Sequence, residues 1–291
     1  MTAEGLGLGH QKVKRLRLLV RRRRLRAGQR AFVIEGPNLI AEALAAGIAV
    51  ESVFVAPGGE AEPVLAQALA SGARVHRLGG GVLERVAGTV TPQPVIAVAR
   101  WCDVALADVR DPTLVVVCAE VRDPGNAGTV LRSAEAAGAD AVVFCDGSVD
   151  VFNPKCVRAS AGSLFHVPVV AGGDGRVVLE EVGRRGLRRL ATVAAAGAPY
   201  DQVDLTVPVA VVVGNEAHGL PDGLRPGLDG ELTIPMAGRT QSLNVGMAAA
   251  VICFEAQRQR RAGPGWATRP RAPYPEPAWP PRATPPQTPP Q

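Results

Sequence analysis

Two periodicities alternate along this chain. Short runs of β-branched and apolar residues give way to stretches with Ala and Leu at helical spacing, and Gly or Pro marks most junctions. AFVIEG (31–36) reads as a strand, and PNLIAEALAAG (37–47) as a helix with Pro in its first turn and Gly past its end. ESVFVAP (51–57), ARVHRL (73–78) and QPVIAVAR (93–100) read as further strands, and EPVLAQALASG (62–72) and VLERVAG (82–88) as helices. Segment 101–112 breaks the alternation and is the expected linker.

A second alternating unit begins at TLVVVCAE (113–120), an almost wholly apolar run of the kind that forms a strand buried on both faces. The pattern then predicts a helix over 126–138 with Asn126 as its cap, a strand over 139–145, a helix over 154–160 and a strand over 165–169. A helix over 175–185 follows, then strands over 187–193, 208–214 and 230–235, and a long helix from Ser242 to about Arg261. Such alternation implies a parallel sheet covered by helices, with ligands at the carboxyl ends of its strands. The expected organisation is a basic segment (1–30), a small α/β domain (31–107), a larger α/β domain (108–262) and a tail (263–291). The last thirty residues hold eleven prolines, so the tail is expected to be disordered.

A hydrophobic fraction of 47% with 20% charged residues excludes a wholly disordered chain. No uncharged apolar run approaches the roughly 18–20 residues that span a bilayer. Arg21–Arg24 interrupts the position where the apolar part of a signal peptide would lie. Five widely spaced cysteines with no CxxC pair argue against a disulfide framework or a zinc site, and His10, His76, His166 and His218 show no metal-ligand spacing. No metal is expected, and reduced thiols point to a cytoplasmic protein. Charge placement says more. Residues 1–30 carry ten bases against Glu4 alone, a balance of +9, so the rest of this +5 chain sums to −4. A block of one sign, almost all Arg, suits phosphate contact through Arg15, Arg17, Arg21, Arg22, Arg23 and Arg24. A solvated arm is the plainer alternative.

Three loops could carry chemistry, because each follows an apolar strand and mixes Gly or Pro with polar side chains. In VRDPGNAGTVLRSAEAAG (121–138), Arg132 lies less than two helical turns past Asn126 and could reach back toward the loop. VVVGNEAHGLP (211–221) projects Asn215, Glu216 and His218 from a strand end, and TIPMAGRTQSLNVGMAAAV (233–251) sets Gln241, Ser242 and Asn244 among apolar neighbours. Such polar groups need partners, either a ligand or the loop's own backbone. Neither GxGxxG nor an acidic ribose-binding residue at the usual distance is present, which weakens the case for a dinucleotide-dependent oxidoreductase.

These loops, in this order and spacing, resemble the three motifs of the SpoU (TrmH) family of RNA ribose 2′-O-methyltransferases, over 113–258. FVIEGPNLIAEALAAG after an Arg-rich helix is similar to the family's N-terminal substrate-binding domain. The resemblance implies a SPOUT-type parallel sheet with a C-terminal trefoil knot, although knots are otherwise rare. It implies S-adenosylmethionine as cofactor, held by Thr192, Gly214, Ile234 and Leu243, and functional roles for Asn126, Arg132, Glu216, Ser242 and Asn244. Gln241 stands where relatives often have Glu, and Gly246 where they often have a small hydroxyl residue. The activity implied is methylation of ribosomal RNA by a homodimer, with a transfer RNA methylase or a non-catalytic RNA-binding protein on the same fold as alternatives.

Overall fold

The structure, a computed structural model, describes residues 5–261; the expected tail lies outside the described residues. The basic segment folds into α1 (Gln11–Arg21) and α2 (Arg23–Gln29), separated by an extended Arg22. Val13, Leu16 and Leu19, three residues apart, form the buried stripe of α1, and the bases occupy its other faces. That stripe joins Phe54, Leu83, Ile96 and Val98 in one apolar cluster, so the basic segment is anchored to the first sheet by hydrophobic burial.

The first sheet contains β1 (Ala31–Glu35), β2 (Val50–Val55), β3 (Arg74–Arg77) and β4 (Val95–Arg100), in the order β1-β4-β2-β3. The helices α3 (Pro37–Ala45), α4 (Val64–Ala70) and α5 (Val82–Val86) connect them. Only β2 and β3 are parallel; β4 inserts antiparallel to both β1 and β2.

The second sheet is wholly parallel, as the pattern predicts. Its strands are β5 (Leu114–Cys118), β6 (Ala141–Phe144), β7 (Val169–Ala171), β8 (Arg188–Val193), β9 (Ala198–Pro199), β10 (Val209–Val213) and β11 (Gly230–Thr233), in the order β7-β6-β5-β10-β8-β11-β9. The central β5 and β10 are buried along their whole length. On one face lie α6 (Pro124–Ala136), α7 (Pro154–Ala159) and α9 (Val245–Arg261); α8 (Gly175–Arg184) covers the other.

Three local expectations are corrected. The strand expected at 165–169 begins only at Val169, because Gly162, at φ 98°, turns the chain into a 3₁₀ turn over Ser163–Phe165. The cap of α6 is Asp123, not Asn126, which lies inside the first turn. The last helix starts at Val245 rather than Ser242.

The two sheets share one core. Phe32 of β1 packs 5.0 Å from Phe152, and Trp101, in the expected linker, stacks on Phe152 at 4.5 Å between ring centroids. Beside these rings runs a buried ion pair. Arg26, 3% exposed, meets Asp150 through Nη2 at 2.6 Å and Nε at 2.8 Å. Its Nη1 donates to the carbonyls of Leu19 and Val20 at 2.7 and 3.2 Å. Arg158 of α7 reaches the buried Glu35 at 3.1 Å. Removing one member of such a pair leaves a buried charge uncompensated and costs about 3–5 kcal/mol. Charge and packing together fix α2 and β1 against the second sheet.

Candidate functional site

The chain order reverses between β5 and β10, and at this kind of switch point a parallel sheet opens a crevice beyond its strand ends. A cavity of about 330 Å³ lies there. Its walls come from the three polar loops and the ends of β8, β10 and β11.

The first loop is shaped by Asp123, whose Oδ1 accepts from the backbone N–H of Gly125 at 2.7 Å and of Asn126 at 2.9 Å. Pro124 opens the helix with its φ already helical. Asn126 is thereby held at the cavity rim. Its Nδ2 donates to Glu216 Oε1 at 2.8 Å, and its Oδ1 accepts from Asn244 Nδ2 at 2.8 Å. The amide orientations follow from this chain of bonds. An ionised Glu216 only accepts, so Asn126 must turn its NH₂ that way and its oxygen toward Asn244. Asn244 then has its own oxygen free for the N–H groups of Gly246 at 2.9 Å and Met247 at 3.4 Å, which caps α9.

In the second loop, Asn215 Nδ2 donates to the carbonyl of Glu120 at 3.0 Å, while its Oδ1 accepts from the N–H groups of Ala217 and His218 at 2.9 and 3.1 Å. Asn215 and Gly219 close the loop with paired backbone bonds of 2.8 and 2.9 Å. A Cβ on Gly214 would stand 2.5 Å from the Gly219 carbonyl carbon, so the turn requires glycine there. Glu216 also accepts from the N–H groups of Arg122 at 3.3 Å and Asp123 at 3.2 Å. Partial burial pushes its carboxyl up. The bonds from Asn126 and from three backbone N–H groups more than offset this and hold it below the usual carboxylate range.

The third loop brings Ile234, Met236, Gln241, Ser242 and Leu243 to the same cavity. Its approach to α6 is close. A Cβ on Gly246 would lie 2.8 Å from Thr129 Cβ, so this close approach requires a glycine against Thr129.

Asn126, Thr192, Gly214, Glu216, Ile234, Ser242, Leu243 and Asn244 therefore line one cavity. Arg132 does not. It is exposed, and among the described residues it makes no hydrogen bond or ion pair, so the expected reach back to the loop is not made within one chain. Asp123 and Asn215 are the positions that sequence reasoning underweighted. Their signal was an Asx residue just ahead of a Pro-Gly or Gly-bearing turn, where its side chain caps backbone N–H groups. Among the described residues no group of His, Cys, Asp and Glu could hold a metal ion, and no helix is long and apolar enough to cross a membrane.

Comparison with known proteins agrees with this architecture. Residues 113–254 match the SpoU rRNA Methylase family, and residues 10–97 match the MRM3-like substrate binding domain. The chain is 36% identical over 245 residues to the 23S rRNA (guanosine(2553)-2′-O)-methyltransferase RlmP of Bacillus subtilis, covering 84% of this chain and 95% of that protein. The AdoMet-bound rRNA methyltransferase from Sinorhizobium meliloti superposes with a TM-score of 0.77 at 30% identity, covering 88% of this chain and 97% of that one. The SpoU methyltransferase AviRb from Streptomyces viridochromogenes, in complex with the cofactor AdoMet, gives a TM-score of 0.80 at 29% identity, covering 87% of this chain and 99% of that one. The parallel α/β fold, the three loops that close one cavity and these matches over nearly the whole chain together place this protein in the SpoU family of RNA methyltransferases.

Proposed function

We propose that this protein transfers a methyl group from S-adenosylmethionine to a ribose 2′-hydroxyl of ribosomal RNA. The observation that carries the reading is the hydrogen-bonded chain Glu216–Asn126–Asn244, which joins all three loops around one cavity. A degenerate, non-catalytic relative has no need to preserve it.

The cavity fits the cofactor. Its volume of about 330 Å³ falls within the small-molecule range of roughly 300–1,000 Å³. Leu232, Ile234 and Ile252 offer an apolar wall, and Gly214, Thr192 and Leu243 belong to loop or strand-end backbone that can supply polar contacts. The bound cofactor supplies an electrophilic methyl group, so the protein's work is positioning and charge stabilisation. Glu216 and Asn126 hold the loops in register, and Ser242 and Asn244 shape the rim that receives the ribose. Arg132 is assigned to the substrate: its guanidinium holds a phosphate and stabilises charge developing on the ribose oxygen.

Arg132, exposed and without a partner among the described residues, is explained by a homodimer in which each cavity is completed by the other subunit. An apolar strip on α9 supports this reading: Met247 is 56% and Phe254 45% exposed, seven residues apart on one helix face. The return of α9 onto α6 and toward the start of β5, where Arg260 Nη2 bonds the Thr113 carbonyl at 2.8 Å, suits the trefoil knot of this fold. For RNA, the basic helices present Arg17, Arg22 and Arg24 in the open, with no ion pair to the described residues. Arg21 and Arg23 are also exposed and, among the described residues, donate only to backbone carbonyls. Arg15 is instead committed to Glu51 at 2.8 Å and contributes less. A ribosomal RNA substrate agrees with a cytoplasmic protein. The test is to incubate purified protein with methyl-labelled cofactor and protein-free 23S ribosomal RNA: label in the RNA is expected, and its absence despite cofactor binding would overturn the reading.

A further inference from the structure

The basic helices and the cavity are not separate features. Arg26 belongs by sequence to the Arg-rich run, yet it is buried and paired with Asp150, in the loop that follows β6. This pair pins α2 to the catalytic unit, so Arg22–Arg24 cannot swing as a free arm. Arg23 reaches the Ser148 carbonyl of that same loop at 3.5 Å. Two residues past Asp150 the chain turns at Phe152, and Asn153 caps α7 by accepting from the N–H of Lys155 at 2.9 Å. Lys155 then extends from α7 to Asp123 Oδ2 at 3.3 Å, where Asp123 shapes the first loop of the cavity. One line of ion pairs and short chain segments thus leads from the exposed arginines to the cavity rim, with cations at both ends.

Resting on the function proposed above, we propose that Lys155 is a phosphate-contacting residue that carries the RNA backbone from Arg22–Arg24 over the domain junction to the reacting ribose. Its side chain is 60% exposed and its ion pair with Asp123, itself 46% exposed, is a surface pair. Exposed pairs of this kind contribute little to stability, so an RNA phosphate can displace the carboxylate without a large penalty. Asp123 has both backbone bonds on Oδ1 and only Lys155 on Oδ2. Lys155 is therefore also the cation that shields incoming phosphate from a carboxylate at the rim. Arg122 neighbours it but is tied to Glu120 at 2.6 Å, which leaves Lys155 the less constrained of the two cations beside Asp123.

The test measures affinity of the full-length protein for protein-free 23S ribosomal RNA across a salt series, for wild type, Lys155→Met, Lys155→Arg and Arg23→Met, with cofactor affinity in parallel. Each phosphate contact contributes about 0.7–0.9 to the slope of log affinity against log salt, so between about 50 and 200 mM salt the wild type should lose about threefold more affinity than Lys155→Met. Lys155→Arg should keep the wild-type slope, Arg23→Met should lose a similar share, and cofactor affinity should stay constant throughout. An unchanged slope in Lys155→Met would overturn the proposal. So would weakened cofactor binding at an unchanged slope, because Lys155 would then act only through Asp123 on the cavity. The readout is RNA binding, so a failure of methyl transfer by the wild type would count against the proposed reaction and leave this outcome legible.

Discussion

Asn244 donates its side-chain amide to Asn126 at 2.8 Å across 118 residues of sequence, tying the residue that caps α9 to the first turn of α6. Since Asn126 is in turn bonded to Glu216, the three loops form one polar chain rather than three independent turns. Asn244→Ala removes both this link and the cap of α9. The expected loss is about tenfold in cofactor affinity, or about 1.4 kcal/mol, measured by calorimetric titration. Wild-type affinity in this variant would show that the loops hold their positions without the chain.

Glu216 gives the site a pH signature. Its carboxyl is held below the ordinary value, so its contribution to stability is present above the unfolded-state carboxylate range and disappears as pH falls through the depressed value. Thermal unfolding of wild type and Glu216→Gln should therefore differ by a constant amount from pH 8 to about pH 5, and converge in more acid solution. A difference that instead grew toward low pH would contradict the assignment of the bonds from Asn126 and the backbone.

Arg26 tests the junction. Arg26→Ala leaves Asp150 buried without its partner, and a destabilisation of about 3–5 kcal/mol is expected in denaturant titration. The double variant Arg26→Met with Asp150→Leu removes both charges and should recover a large part of that loss. Arg23→Ala, about one helical turn away on α2 but exposed, should leave stability unchanged within about 0.5 kcal/mol.

Arg132 separates chemistry from folding. It is exposed and lies off the cavity wall, so Arg132→Ala should keep the melting temperature and cofactor affinity of the wild type while abolishing methyl transfer. Arg132→Lys should rescue little, since a point charge does not replace a planar fork. Near-normal turnover in either variant would remove Arg132 from the reaction.

Most of this was legible in the sequence because periodicity reports burial. The run over Leu114–Cys118 is apolar at every position and became a central strand, and the three loops were visible as polar residues at strand ends. What was hidden depends on partners far away in the chain. Nothing local distinguishes Arg26 from its exposed neighbours; only Asp150, 124 residues on, makes it a buried structural charge. The antiparallel insertion of β4 between β1 and β2 is likewise a pairing choice, which strand patterns do not encode. Asn126 reads as a cap because it precedes the apolar periodicity, but Asp123 before Pro124 fixes the true start.

The chemical position of the methyl group tests the account most directly. A ribose 2′-hydroxyl is the internal nucleophile of alkaline RNA cleavage, so its methylation makes the neighbouring phosphodiester resistant. Alkaline digestion of RNA labelled by this protein should yield the label in one alkali-resistant dinucleotide, and a 2′-deoxy nucleotide at the target should eliminate transfer while leaving phosphate-driven binding in place. Label in a mononucleotide, or continued transfer to the deoxy substrate, would contradict ribose methylation.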